Sequence, residues 1–316
     1  MNIFSVIVDN LGVLIYATLL YTSPLLFAAL GSCFSENSGI VNIGIEGMMI
    51  GGAFTGASVA YLIGHPWLAF LLAGIVGALF GLLHAFETVT LNADQTIAGT
   101  AINFIAPGIS LLLSRTIFDG ATDTPPIKES NMIPVLFNGV FDGDTVFSRL
   151  MKNIFNIPAT AYLVFIVLII VWFLFYKTPF GLRLRAVGEH PRACDTLGIN
   201  VTKMRYIAVV TSGFLSGLGG ACVTMSIMNQ FRPVSIVGQG FIAIAAVLFG
   251  KFKPQGAVLG CLLFGFCTGL KVVLGQNEFL SAQLISMIPY IVTIIMLVLF
   301  VKKSGVPSAS GKPYIK

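Results

Sequence analysis

Several stretches of this chain run for about 20 residues without a charged side chain; residues 158–176 and 283–301 are two of them. That feature limits the fold more than any other. About 20 apolar residues in an α-helix cross the hydrocarbon layer of a bilayer. Only helices and closed barrels can cross, because every backbone N–H and C=O must find a partner within the structure. The apolar runs are continuous rather than alternating, which favours helices over a barrel. Soluble globular chains carry roughly 25% charged residues, whereas here 10% are charged and 56% hydrophobic. A large soluble core does not require so little charge. The expected fold class is all-α, a polytopic transmembrane helical bundle forming one domain, residues 1–316.

The spans read from the sequence are 10–33, 40–63, 67–86, 96–118, 158–176, 206–228, 236–250, 255–274 and 283–301, about nine in all. The seventh is short. The second is preceded by Gly39, Asn42, Gly44, Glu46 and Gly47, so a broken helix or half-helix is expected near 35–47. Such breaks are tolerated where they face protein or a water-filled path. Residues 1–10 lack Lys and Arg, so the basic start of a cleaved signal peptide is missing and the first span is expected to stay.

Positive charge sets orientation in membrane proteins. The loop 177–205 holds Lys177, Arg183, Arg185, Arg192, Lys203 and Arg205. Lys251 and Lys253 follow the seventh span, and Lys302, Lys303, Lys312 and Lys316 lie in the tail. With nine spans all three segments fall on one side, the cytoplasm. The C-terminus is then cytoplasmic, the N-terminus outside, and the acidic loop 119–157 extracytoplasmic. The net charge of +5 therefore reports topology and does not signal nucleic acid.

Catalytic patterns are absent. No G-x-x-x-x-G-K-[ST] phosphate loop occurs, so ATP hydrolysis is not expected of this chain. His65, His84 and His190 are isolated, without metal-ligand spacing. Cys33, Cys194, Cys222, Cys261 and Cys267 form no C-x-x-C pair and read as small packing residues. No metal, cofactor or enzyme activity is expected. Small-residue stripes recur at Gly74, Gly77, Gly81 and at Gly213, Ser216, Gly217, Gly220. They allow close helix packing, and either mark two related halves or are ordinary seams.

The basic loop 177–205 is the most informative segment. Pro191 suits the first turn of a short helix, Arg192 to Leu197 would continue it, and Gly198 would cap it. Flanked by two spans, such a helix is either a handle for a partner or a solvated loop.

The order Gly181, Leu182, Arg185, Ala186, Gly188, Pro191, Ala193, Gly198, Ile199 resembles the coupling segment of permease subunits in binding-protein-dependent ABC importers of simple sugars, nucleosides and branched-chain amino acids. The Ser-Gly-rich stretch Ser212–Ala221 follows it, as in that family; Cys194 departs, standing where Ala is usual. Asn42-Ile43-Gly44-Ile45-Glu46-Gly47-Met48-Met49 resembles the signature of the nucleoside branch. Gly240-Phe241 through Gly250, then Pro254 and Gly256, match a third family pattern. The run Asn92 to Asn103, with Gln95, Thr96, Ile97 and Gly99, matches a fourth more loosely. The resemblance covers roughly residues 35–260, and the chain length is similar to that of the shorter of two paired permeases.

The resemblance implies the permease subunit of an importer in the bacterial plasma membrane. A separate ATP-binding cassette subunit would power it, docking on Gly188, Glu189, His190, Pro191, Arg192, Ala193 and Gly198. A second, homologous permease and an extracytoplasmic substrate-binding protein or lipoprotein would complete the complex. The implied cargo is a nucleoside, with a simple sugar such as ribose as the alternative. A stand-alone secondary transporter would need intramembrane charges for ion coupling, and only Glu46 is a candidate.

The residues themselves suggest a substrate path. Glu46 is either functional or a charge at a helix N-terminus, with Asn42 four residues earlier on the same expected helical face. Asn103 would bond a ribose or base, or a neighbouring helix. Gln239 and Phe241 lie near the expected outer end of the seventh span, where Phe241 would stack on a base or simply pack.

Overall fold

The computed structural model describes residues 10–137, 151, 152, 154–275, 282–300 and 305–315. Part of the expected 119–157 loop, including Asp142, Asp144 and Arg149, lies outside these residues, as do the first nine residues, Lys302, Lys303 and Lys316.

The described chain is helical. The elements are α1 Leu11–Asn37, α2 Ile45–Ile63, α3 Pro66–Ala85, α4 Gln95–Ile117, α5 Ala159–Lys177, α6 Pro179–Glu189, α7 Pro191–Thr196, α8 Val201–Cys222, α9 Gln239–Phe249, α10 Pro254–Leu274 and α11 Ala282–Phe300. One isolated bridge joins Val135 and Pro158, and no strand forms among the described residues. Two helices end in π turns, α3 through Phe86–Thr90 and α8 through Val223–Met228. Each of the nine apolar stretches contains a helix. Six helices are long and apolar enough to cross a membrane: α1, α3 and α8 with their π turns, α4, α5 and α10. The protein is a multi-pass membrane protein. α2 and α11 have 19 residues each and α9 has 11. At 1.5 Å per residue α9 reaches roughly 16 Å, about half of a ~30 Å hydrocarbon layer.

Local chemistry sets the helix ends. Asp94 accepts from the N–H groups of Thr96 and Ile97 at 2.9 and 3.0 Å, capping α4. The Asn200 side chain accepts from Lys203 N–H at 2.9 Å at the start of α8. Pro66, Pro179, Pro191 and Pro254 each open a helix, where their missing N–H has no intrahelical partner to lose.

The centre of the bundle is the packing of α8 against α1, α2 and α3. There the two glycine stripes face each other. A Cβ on Gly77 would fall on the carbonyl of Gly213, and a Cβ on Gly213 on the carbonyl of Gly77. Gly217 likewise abuts the Ala73 carbonyl, and Gly220 that of Met49. The stripes are the two sides of one backbone-to-backbone seam. Lipid tails are as apolar as side chains, so close approach of small residues, rather than hydrophobicity, brings such helices together.

The structure corrects the expected half-helix near 35–47. α1 continues unbroken to Asn37, and a seven-residue irregular link, residues 38–44, leads into α2. The half-length helix is instead α9. The basic segment also differs from a loop: it folds into α6 and α7, and α8 starts at Val201, five residues before the expected span.

Candidate translocation and coupling site

Five of the seven link residues are buried, so their backbone groups need partners, and side chains from distant helices supply several of them. Gln95 Oε1 accepts from Val41 N–H at 2.7 Å. His84 Nε2 lies 3.2 Å from the Val41 carbonyl, which can only accept, so Nε2 carries the proton. Asn103 Nδ2 donates to the Ile43 carbonyl at 3.0 Å, and its Oδ1 accepts from Gly47 N–H at 2.8 Å. Asn42 Nδ2 donates to Ser212 Oγ of α8 at 3.0 Å. Asn37 Nδ2 donates to the carbonyls of Cys33 and Phe252, both at 2.8 Å.

Glu46 sits in the first turn of α2. Its Oε1 accepts from Gly238 N–H at 2.7 Å, and Gly238 is the N-cap of α9. The carboxylate thus meets the positive end of a helix that begins inside the bundle. Its Oε2 has no partner among the described residues. Three of the residues expected to line a path therefore act first on the link: Asn42, Glu46 and Asn103 fix where α2, α4 and α9 begin or meet. Asn42 does not share a helical face with Glu46, because it lies in the link, outside any helix.

Gln239 follows Gly238, beside Glu46, and its side chain faces another way. It lines a cavity of about 610 Å³ between α1, the π turn of α8, α9, α10 and α11, together with Tyr21, Ile227, Phe264, Thr268 and Lys271. This size and a mostly apolar lining with a few polar groups are typical of small-molecule sites. Phe241, two residues on, is 48% exposed and is not part of this lining. Asn42, Glu46 and Asn103 gather at the link, Gln239 stands beside Glu46 with its side chain on the cavity, and Phe241 lies outside it.

The basic end is organised around α7. Gly198 has φ +79°. Its N–H bonds to the Asp195 carbonyl at 2.9 Å, and Ile199 N–H bonds to the Cys194 carbonyl at 3.0 Å. This pair of bonds closes a helix C-terminus with a left-handed residue, so Gly198 caps α7. Pro191 opens α7 as expected, although α7 stops one residue before Leu197. Cys194 is the buried member of α7, and burial pushes its thiol up, so it remains protonated at neutral pH. Its small size suits the position, as Ala would.

Gly188 ends α6 against the Asn37 carbonyl with no room for a Cβ. Glu189, His190, Pro191, Arg192 and Ala193 line a groove of about 640 Å³ whose other wall is the C-terminal segment, with Ser308, Ala309, Lys312 and Tyr314. Burial, and then Asp195 of α7, push the Tyr314 phenol up, so it stays neutral. The sequence reading missed this segment, and missed His84, Gln95 and Ser212 as partners of the link. A lone polar residue in an apolar span was their only signal; their partners lie 43, 54 and 170 residues away.

Two comparisons identify the class. A family model described as branched-chain amino acid transport system / permease component matches residues 14–299, and the chain belongs to that family of ABC transporter permeases. Within it, the guanosine ABC transporter permease protein NupQ of Bacillus subtilis is 43% identical, over 98% of both chains. The nucleoside ABC transporter permease protein NupC of Lactococcus lactis is 40% identical, over 98% of this chain and 99% of its own. A second guanosine permease protein of Bacillus subtilis, NupP, is 29% identical over 81% of this chain and 72% of its own length.

Proposed function

We propose that this chain is the shorter of two paired permease subunits in an ABC importer that carries nucleosides, purines among them, across a bacterial plasma membrane. The observation that carries this reading is the full-length match to NupQ and NupC, at 43% and 40% identity. Two different guanosine permease proteins in one organism, NupQ and NupP, support a pair of unequal subunits. All nine apolar helices cross or enter the bilayer, in one permease domain over 1–316. The segment 177–205 faces the cytoplasm with the C-terminus, while 119–157 and the N-terminus face outward. ATP hydrolysis belongs to a partner, and a substrate-binding protein or lipoprotein delivers cargo from outside.

α7 is the coupling helix. Gly188, Glu189, His190, Pro191, Arg192, Ala193 and Gly198 shape or support the surface that the ATPase moves. Closure of the ATPase subunits shifts α7, and the bundle alternates access to a path that includes Gln239. Asn42, Glu46 and Asn103 act on that path by fixing the start of α2 and α9, and Phe241 faces the second permease at its edge.

Uptake by the reconstituted complex, with labelled guanosine competed by other nucleosides, ribose and branched-chain amino acids, tests the cargo. Competition by nucleosides alone is expected; competition by ribose alone refutes the nucleoside reading. Replacing the groove residue Pro191 with Trp tests the handle. ATP hydrolysis should persist while uptake falls, and unchanged uptake would sink the assignment of α7.

A further inference from the structure

α7 has little grip of its own on the bundle. It is six residues long, and Cys194 is its buried side chain. The C-terminal segment Pro307–Ile315 is bonded to the end of α6 immediately before it and walls its groove. Ala309 N–H donates to the Gly188 carbonyl at 2.9 Å. Ser308 donates twice to Glu189 Oε2, from N–H at 3.2 Å and Oγ at 2.8 Å. Across the groove Tyr314, Ala309 and Lys312 face Pro191, Arg192 and Ala193 of α7. On its other side the same segment holds the link: Gly311 N–H donates to the Gly39 carbonyl at 3.2 Å. Gly39 has φ +85°, and a Cβ there would stand 3.1 Å from the Ala309 carbonyl, so the two strands run in direct contact. Arg205 of α8 lies beneath, 1% exposed. Its Nη1 donates to the Lys312 carbonyl at 3.3 Å.

We propose that the segment 307–315 is a strap that joins α7 to the link 38–44, so that displacement of α7 reaches the starts of α2 and α9 through the strap. This rests on α7 being the coupling helix. The route is unbroken: α7 shares a groove with the strap, the end of α6 and Gly39 are hydrogen-bonded to it, and the link leads along the chain into α2, where Glu46 holds the N-terminus of α9. Arg205 gives the strap two states. With the strap down, its Nε and Nη2 are buried with no hydrogen-bond partner among the described residues, which is costly for a guanidinium. Lifting the strap lets water reach them and offsets the lost bonds. A strap balanced in this way responds to a modest force at α7.

The test uses the complete importer in liposomes and reads solute moved per ATP hydrolysed. Ending the chain after Val306 should leave the ATPase subunit bound and hydrolysing, with the ratio down by roughly tenfold, the scale on which residues along a coupling route act. A truncated chain that keeps the wild-type ratio, in a complex where Pro191→Trp loses it, overturns the strap alone. A Pro191→Trp chain that keeps the ratio removes the coupling reading and the strap with it. If truncation prevents assembly, amide hydrogen exchange in the wild-type complex decides. Trapping it with a non-hydrolysable ATP analogue should change exchange severalfold at Ala309, Gly311 and Val41 together. A change confined to α6 and α7 overturns the proposal.

Discussion

The inner seam between α3 and α8 and the outer faces of α4 and α5 are equally apolar by composition, yet they are built oppositely. At the seam Gly77, Gly213 and Gly217 bring main chains together without side chains between them. On the outer faces Ile97, Phe104, Leu112 and Ile169 are 64–77% exposed. A soluble protein would hide those large residues and tolerate the glycines outside. In a bilayer the large residues face lipid or another subunit at no penalty, and contact between helices comes from small residues and interhelical hydrogen bonds. Hydropathy thus finds helices but is blind to which of their faces meet.

Substitutions at the two regions should separate them sharply. Gly217→Leu drives a side chain into the Ala73 carbonyl, and overpacking of this kind costs about 3 kcal/mol or more where backbone cannot yield. Thermal unfolding of the detergent-solubilised complex should show a large loss, and wild-type stability would mean that the seam is not close-packed. Next in size is Glu46→Ala, which strips Gly238 N–H of its acceptor and leaves a partly buried donor unmet, for about 1 kcal/mol. Its signature is faster hydrogen exchange at the start of α9 with α3 and α8 unaffected. Smallest is Ile169→Ala on the outer face, expected within about 0.5 kcal/mol. A loss comparable to that at Gly217 would show that α5 is covered by another subunit rather than by lipid.

The limits of the sequence follow from the same physics. Long charge-free runs located every described membrane helix to within a few residues, because desolvating the backbone leaves a helix as the available solution. The cap at Gly198 and the opening at Pro191 were legible because both are local. The start of α8 was misplaced because Lys203 and Arg205 read as loop charges, although Asn200 caps a helix that contains both. The link was legible as a break, and its cause was not: Gln95, His84 and Asn103 reach it from α3 and α4. Asn103 as a helix–helix bond was one of the two readings its position allowed. The tail after α11 carries four lysines that marked an orientation, and nothing in their pattern disclosed the seat of 307–315 against Gly188 and Gly39.

The reciprocal contact of Gly77 and Gly213 has a mechanical consequence. Main chain against main chain offers no rotamers to exchange, so α3 and α8 cannot adjust gradually by repacking. They form a stiff keel. Opening and closing must then be divided among the parts hinged to its margins: the link, the half-length α9 and the π turn at Val223–Met228, where the regular ladder of backbone bonds is already interrupted.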